Sequence, residues 1–239
     1  MSSSVLQVCR WHPVPDVSTL QQMACDTILD CSNQAIRDRG RFNLVLSGGN
    51  TPREVYRRLS MARADWASWH IYFGDERCLP IEDPDRNSRM ALDAWLQHVP
   101  IPARQIHLIP AELEPQLAAR LYANTLMEIG YFDLVLLGLG EDGHTASLFP
   151  HRDWGTEAES PDALAVLDAP IRPPQRVSLS AARLSRTRHA LFLVSGKSKH
   201  EAVKAWRDGK DIPAVAIRPP GGVDIIVASI MLTPTSILS

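Results

Sequence analysis

From residue 18 to residue 39 the apolar side chains Leu20, Met23, Ala24, Ile28, Cys31, Ala35 and Ile36 recur at three- and four-residue spacing, with polar residues between them. That period lines one face of an α-helix, and Gly40 stands where such a helix would end. The pattern then changes to short runs of apolar residues at 42–46, 71–73, 106–109, 134–137, 191–194 and 214–217. Such apolar runs predict strands covered on both faces. Helical spacing fills the intervals at 52–59, 88–96, 117–129 and 198–206. The alternation predicts a three-layer α/β/α fold, a mainly parallel sheet with helices on both sides. Residues 151–174 are polar and contain prolines, and read as a long surface excursion around a short strand at 164–167. The 18 prolines and 13 glycines are scattered rather than gathered into a linker, and no segment repeats, so a single domain over 1–239 is expected.

Composition narrows the possible partners. The chain has 25 Lys+Arg against 27 Asp+Glu, a formal net charge of −2, with 45% hydrophobic and 22% charged residues. That balance belongs to a folded chain and gives no broad basic surface for nucleic acid and no polybasic run for a membrane. Positive charge that matters must therefore be local. The apolar run at 225–232 is interrupted by Ser229 and is too short to cross a bilayer. Cys9, Cys25, Cys31 and Cys78 form no C-x-x-C pair and no zinc-ligand spacing, so no metal is expected and the thiols read as reduced. Residues 1–15 lack the basic start and apolar stretch of a secretion signal, and a cytoplasmic location is expected.

In sheets of this kind ligands bind outside the carboxyl ends of the strands, so the turns after the apolar runs are where chemistry is sought. The first is Ser47-Gly48-Gly49-Asn50-Thr51-Pro52-Arg53-Glu54. Thr51 and Glu54 have the spacing of a capping box, with Pro52 at the first helical position. Two glycines before a helix N-terminus let backbone N–H groups approach a phosphate, although an unliganded strand-to-helix turn has the same form. The second turn, Gly74-Asp75-Glu76-Arg77, places three ionisable groups at the end of a buried strand; solvated loop charge is the simpler reading.

The third turn reads Gly138-Leu139-Gly140-Glu141-Asp142-Gly143-His144-Thr145-Ala146-Ser147. Its glycines match the G-x-G-x-x-G spacing of dinucleotide sites. His144 and Asp142 stand where such a turn needs small packing residues, and the first strand lacks the pattern, so a dinucleotide is not expected. A histidine at a strand mouth with a carboxylate two residues away suits a general base held by an acid, or else a turn-capping histidine. After 191–194 comes Ser195-Gly196-Lys197-Ser198-Lys199, which is not a P-loop because the position that should hold its first glycine is Leu191. The turn instead offers lysines at a helix start. Arg176, at the head of another expected strand, Arg176-Val177-Ser178-Leu179, can join Lys199 on a phosphate, since a guanidinium binds two oxygens at once.

Taken in order, the sequence closely resembles the 6-phosphogluconolactonase family: Ser47-Gly48-Gly49-Asn50-Thr51-Pro52; Gly74-Asp75-Glu76-Arg77 with Asp85 and Asn87; GLGEDGHTASLFP over 138–150; Arg176-Val177-Ser178-Leu179; then Gly196 and Lys199. The 138–150 block is specific, whereas the first motif is shared with related sugar-phosphate enzymes. The resemblance implies a fold like that of sugar-phosphate isomerases and deaminases. It also implies hydrolysis of 6-phospho-D-glucono-1,5-lactone to 6-phosphogluconate, the second step of the oxidative pentose phosphate pathway, without a cofactor. By the same resemblance His144 is the general base and Asp142 the acid that orients it. Ser47, Gly48 and Gly49 face the substrate, Asp75, Arg77 and Asn87 line its pocket, and Arg176 and Lys199 hold its phosphate. The partner is then a small phosphorylated sugar lactone, bound by a monomer or a small homo-oligomer.

Two rivals share these features. Glucosamine-6-phosphate deaminases have an Asp-Gly-His motif with a glutamate five residues after the histidine, and here that position is Phe149. A non-catalytic sugar-phosphate sensor would keep Arg176 and Lys199 but has no need of the Asp142 and His144 pairing.

Overall fold

The computed structural model describes residues 7–228. Most of the 1–15 segment read for a secretion signal falls within it, but residues 1–6 lie outside, as does the 229–232 part of the apolar run near the C-terminus.

The chain runs β1 (Cys9–Val14), α1 (Val17–Arg39), β2 (Phe42–Leu46), α2 (Asn50–Leu59), β3 (Trp69–Phe73), β4 (Asp75–Arg77), α3 (Asn87–Ala94) and α4 (Pro115–Leu126). It continues through β5 (Phe132–Gly138), β6 (Ala163–Val166), β7 (Arg176–Leu179), α5 (Ala181–Ser185), β8 (Thr187–Val194), α6 (His200–Arg207) and β9 (Val223–Ala228). Helix α1 forms as its spacing predicts. The Asp16 carboxylate accepts from the Thr19 N–H at 2.7 Å to open it. Gly40, at φ 72°, closes it in the left-handed region and donates its N–H to Ile36 O. Leu20, Ala24, Ile28 and Ala35 are buried along the face turned to the core.

Six strands pair in the order β1-β9-β8-β5-β2-β3. Every pairing is parallel. All five residues of β2 are buried, which explains why four of them are apolar, with Asn43 the one polar exception; each buried apolar side chain contributes about 1.5–3 kcal/mol. Helices cover both faces of the sheet. On α6, Trp206 packs edge-on against Phe192 of β8 at 4.6 Å and Trp11 of β1 at 5.4 Å between ring centroids. From β2 the chain moves outward to β3, whereas β5, β8 and β9 lie on the other side of β2. The strand order therefore reverses between β2 and β5, and a crevice opens there at the carboxyl ends.

A second, three-stranded sheet with the order β4-β7-β6 is antiparallel and roofs that crevice. The sequence pattern marks β6, expected at 164–167, and β7, headed by Arg176, but neither their antiparallel pairing nor β4, which is only three residues long and wholly charged. Two runs expected as strands are not strands. Residues 106–109 make a single bridge, Ile106 to Ile71, with the His107 N–H donating to Ile71 O at 2.8 Å. The run at 214–217 mostly falls in a 3-10 turn, Pro213–Ala216, with proline at its start. Among the described residues no helix is long and apolar enough to cross a membrane.

Candidate active site

Between β5 and β6 the chain folds back on itself: Gly140 N–H donates to His144 O at 2.7 Å, and Gly143 N–H donates to Gly140 O at 3.1 Å. Gly143 has φ 88° and packs on Ile212, where a Cβ would come within 2.8 Å of that side chain. The loop presents His144 to the crevice. Asp142 Oδ1 accepts from the His144 backbone N–H at 3.1 Å and meets His144 Nδ1 at 2.6 Å. Because Nδ1–H donates to the carboxylate, the neutral ring carries its lone pair on Nε2, which has no partner among the described residues. Burial works against ionisation of Asp142, but the hydrogen bonds and charge of His144 outweigh it and hold the carboxyl below its ordinary range. Phe149 is buried and stands 4.7 Å from the imidazole, so an apolar ring occupies the place where the deaminase motif has an acid.

Opposite His144 lies the turn after β2. Gly49 precedes α2 at φ 105°, and the helix begins at Asn50 without a side-chain cap. The capping box expected at Thr51 and Glu54 is absent. Thr51 Oγ1 instead meets Ser195 Oγ at 2.7 Å, joining this turn to the one after β8, while Glu54 pairs with Arg57. Tyr56, fully buried, holds both backbone groups of Ser47: its hydroxyl accepts from the N–H at 3.0 Å and donates to the carbonyl at 2.8 Å.

The charges after β3 are not solvated. Asp75 and Glu76 are 6% and 0% exposed, and β4 sends their side chains to opposite faces. Glu76 accepts from the backbone N–H groups of Arg77, Asn87 and Ser88 at 2.7–2.8 Å and pairs with buried Arg86 at 3.4 Å. It thereby caps α3 from another element, a role unmarked by any local motif. Asp75 accepts from Asn87 Nδ2 at 3.1 Å and from Ser147 Oγ at 2.6 Å. Arg77 donates to Asp85 O at 2.7 Å and sits across the ladder from Arg176. Arg176 Nε and Nη2 donate to the carbonyls of Pro173, Ile171 and Arg172, which aim the guanidinium. Burial pulls its pKa below the usual arginine range, countered by nearby Asp75.

These groups converge on one cleft of about 190 Å³. Ser47, Gly48 and Gly49 form one wall, Asp75, Arg77 and Asn87 another, and His144, Arg176 and Lys199 complete it. Asp142 supports His144 from behind without lining the cleft. The residues expected to face the substrate therefore share one cleft, whereas Asp85 and Lys197 do not line it, and Ser147, Tyr56 and Glu76 join as supports that sequence reasoning missed. A larger cavity of about 810 Å³ lies beside Cys78, Glu82, Glu112 and Leu113. It is lined by apolar groups, carboxylates and two glutamines, with no histidine and no cation for an anion, so the smaller cleft is the functional candidate.

Fold and site together define the class: an α/β protein with a histidine–carboxylate dyad in a cation-bearing cleft at the switch point of a parallel sheet. A family model described as glucosamine-6-phosphate isomerases/6-phosphogluconolactonase matches residues 15–226, and the chain belongs to this family. It is 38% identical over 226 residues to the 6-phosphogluconolactonase of Synechocystis sp., covering 87% of this chain and 92% of that protein. The 6-phosphogluconolactonase of Nostoc sp. is 36% identical over 200 residues, 80% of this chain and 81% of that one. The crystal structure of 6-phosphogluconolactonase from Thermotoga maritima matches with a TM-score of 0.85 over 92% of this chain and 100% of that one. At 24% identity that likeness is one of fold.

Proposed function

We propose that the protein hydrolyses 6-phospho-D-glucono-1,5-lactone to 6-phospho-D-gluconate, the second step of the oxidative pentose phosphate pathway, with His144 as general base. The observation that carries the reading is the 2.6 Å contact of His144 Nδ1 with Asp142, in the same cleft as Arg176 and Lys199.

In this mechanism Nε2 of His144 takes a proton as water oxygen bonds to the lactone carbonyl carbon. Asp142 stabilises the imidazolium that forms. The carbonyl electrons pass to oxygen, and that charge needs a donor; Arg77 and the backbone of the Ser47-Gly48-Gly49 turn both line the cleft, and either supplies it. When the carbonyl reforms, the bond to the ring oxygen breaks and the imidazolium returns its proton to that oxygen. The products are the open acid and a restored base. Arg176 and Lys199 hold the phosphate remotely, so that binding energy from a non-reacting group positions the carbonyl carbon. The relatives named 6-phosphogluconolactonase, together with the apolar Phe149 at the deaminase acid position, favour lactone hydrolysis over ammonia release.

His144→Ala tests the base. Lactone hydrolysis is expected to fall by at least about 10²-fold while 6-phosphogluconate still binds, measured by turnover and calorimetry. Unchanged turnover would remove His144 from the mechanism.

A further inference from the structure

The wall formed by Asp75 and Asn87 contains more order than lining a pocket requires. Asp75, Asn87 and Ser147 are 6%, 5% and 1% exposed. Asn87 Nδ2 donates to both the backbone carbonyl and Oδ1 of Asp75, each at 3.1 Å, so both amide hydrogens are engaged. Asp75 Oδ2 is held by the Ser147 hydroxyl at 2.6 Å, and Ser147 is itself pinned by its N–H donating to Ser178 Oγ at 3.2 Å. The Asn87 backbone is fixed too, its N–H on Glu76 Oε1 at 2.7 Å. A reversed amide would press its oxygen against two acceptors, so the network itself dictates the orientation. Asn87 Oδ1 is left with no partner among the described residues. It faces Gly48, where a Cβ would fall 2.1 Å away, so only glycine leaves it room.

We infer that Ser147 and Asp75 lock the Asn87 amide so that its oxygen accepts a hydrogen bond from one hydroxyl of the substrate's sugar ring. This rests on the lactone reading above. An acceptor-only group repels phosphate and carbonyl oxygens and rewards a hydroxyl, so this wall reads the sugar while the cations read the phosphate. Asn87 is a specificity-determining residue, and Asp75 and Ser147 are positioning residues that act through it. Ser147 also lies three residues after His144, so one lock sets the base and the hydroxyl reader relative to each other.

The test compares kcat/KM of the wild type, Asn87→Ala and Ser147→Ala on the parent 6-phospholactone and on the three analogues lacking the 2-, 3- or 4-hydroxyl. Asn87→Ala is expected to lose about tenfold on the parent and on two analogues, and nothing on the analogue lacking the hydroxyl that is read. The wild type should disfavour that same analogue by a similar factor. Ser147→Ala should narrow the same selectivity ratio, a change that general loosening would not produce; Asn87→Ala decides even if Ser147→Ala fails to fold. A penalty in Asn87→Ala that is equal on all four substrates overturns the inference, as does an unchanged selectivity ratio in folded Ser147→Ala. Wild type active on the parent with an equal penalty removes the inference alone, whereas wild type inert on the parent removes the functional reading and this inference with it.

Discussion

Gly140 is required by the imidazole beside it: a Cβ there would lie 2.0 Å from His144 Nδ1, inside any tolerable contact. Gly140→Ala should therefore push the ring off Asp142 and lower kcat by about 10²-fold, since an ångström of misplacement costs that much. Far-UV circular dichroism should remain that of the wild type; full kcat would show that the ring relocates without loss. His144 and Asp142 were legible in the sequence because the pair is local and follows an apolar strand. Ser147 and Glu76 were not. Ser147 meets Asp75 across a sequence separation of 72 residues, and Glu76 reaches the start of α3 from a neighbouring strand, so neither contact leaves a local pattern. Thr51 shows the converse, a local capping signature overridden by a hydroxyl partner 144 residues away.

At the scale of elements, the small antiparallel sheet and α3 depend on Glu76. Its carboxylate satisfies three backbone N–H groups and pairs with Arg86, which is 2% exposed. Glu76→Ala would leave those donors buried without a partner and should destabilise the fold by about 3 kcal/mol. For a chain of this size that is a fall in Tm of about 6–12 °C, readable by calorimetry; an unchanged Tm would mean α3 finds another cap. The central strands were legible because burial on both faces demands continuous apolar sequence. β1 was not, because as an edge strand it exposes Arg10, and its polar and apolar residues mix. β9 was obscured by Asp224, which breaks its apolar run close to the Gly221-Gly222 turn. The run at 214–217 misled for another reason: four apolar residues after a proline fit a buried 3-10 turn as well as a strand.

Across the whole molecule, the net charge of −2 conceals a local arrangement, with Arg77, Arg176 and Lys199 gathered on one cleft. Far from that cleft, Asp224 ties the sheet's outer edge together, bonded bidentately by Arg10 at 2.7–2.9 Å and by His12 at 2.7 Å. Burial opposes ionisation there, but Arg10 and His12 prevail and the folded carboxyl lies below its ordinary range. Its contribution to stability is therefore complete above about pH 4, the unfolded value, and is lost as pH falls through the lower folded value. Asp224→Asn should melt below the wild type at pH 7, and the gap should close below pH 4; a gap independent of pH would contradict the assignment. The cleft is proposed to serve one reaction. Generating 6-phospho-D-glucono-1,5-lactone in place from glucose 6-phosphate and following its disappearance, with and without this protein, tests it most directly. Lactone is expected to disappear at a rate proportional to the protein added, with 6-phosphogluconate as the product, and a rate equal to the spontaneous one would contradict lactone hydrolysis by this protein.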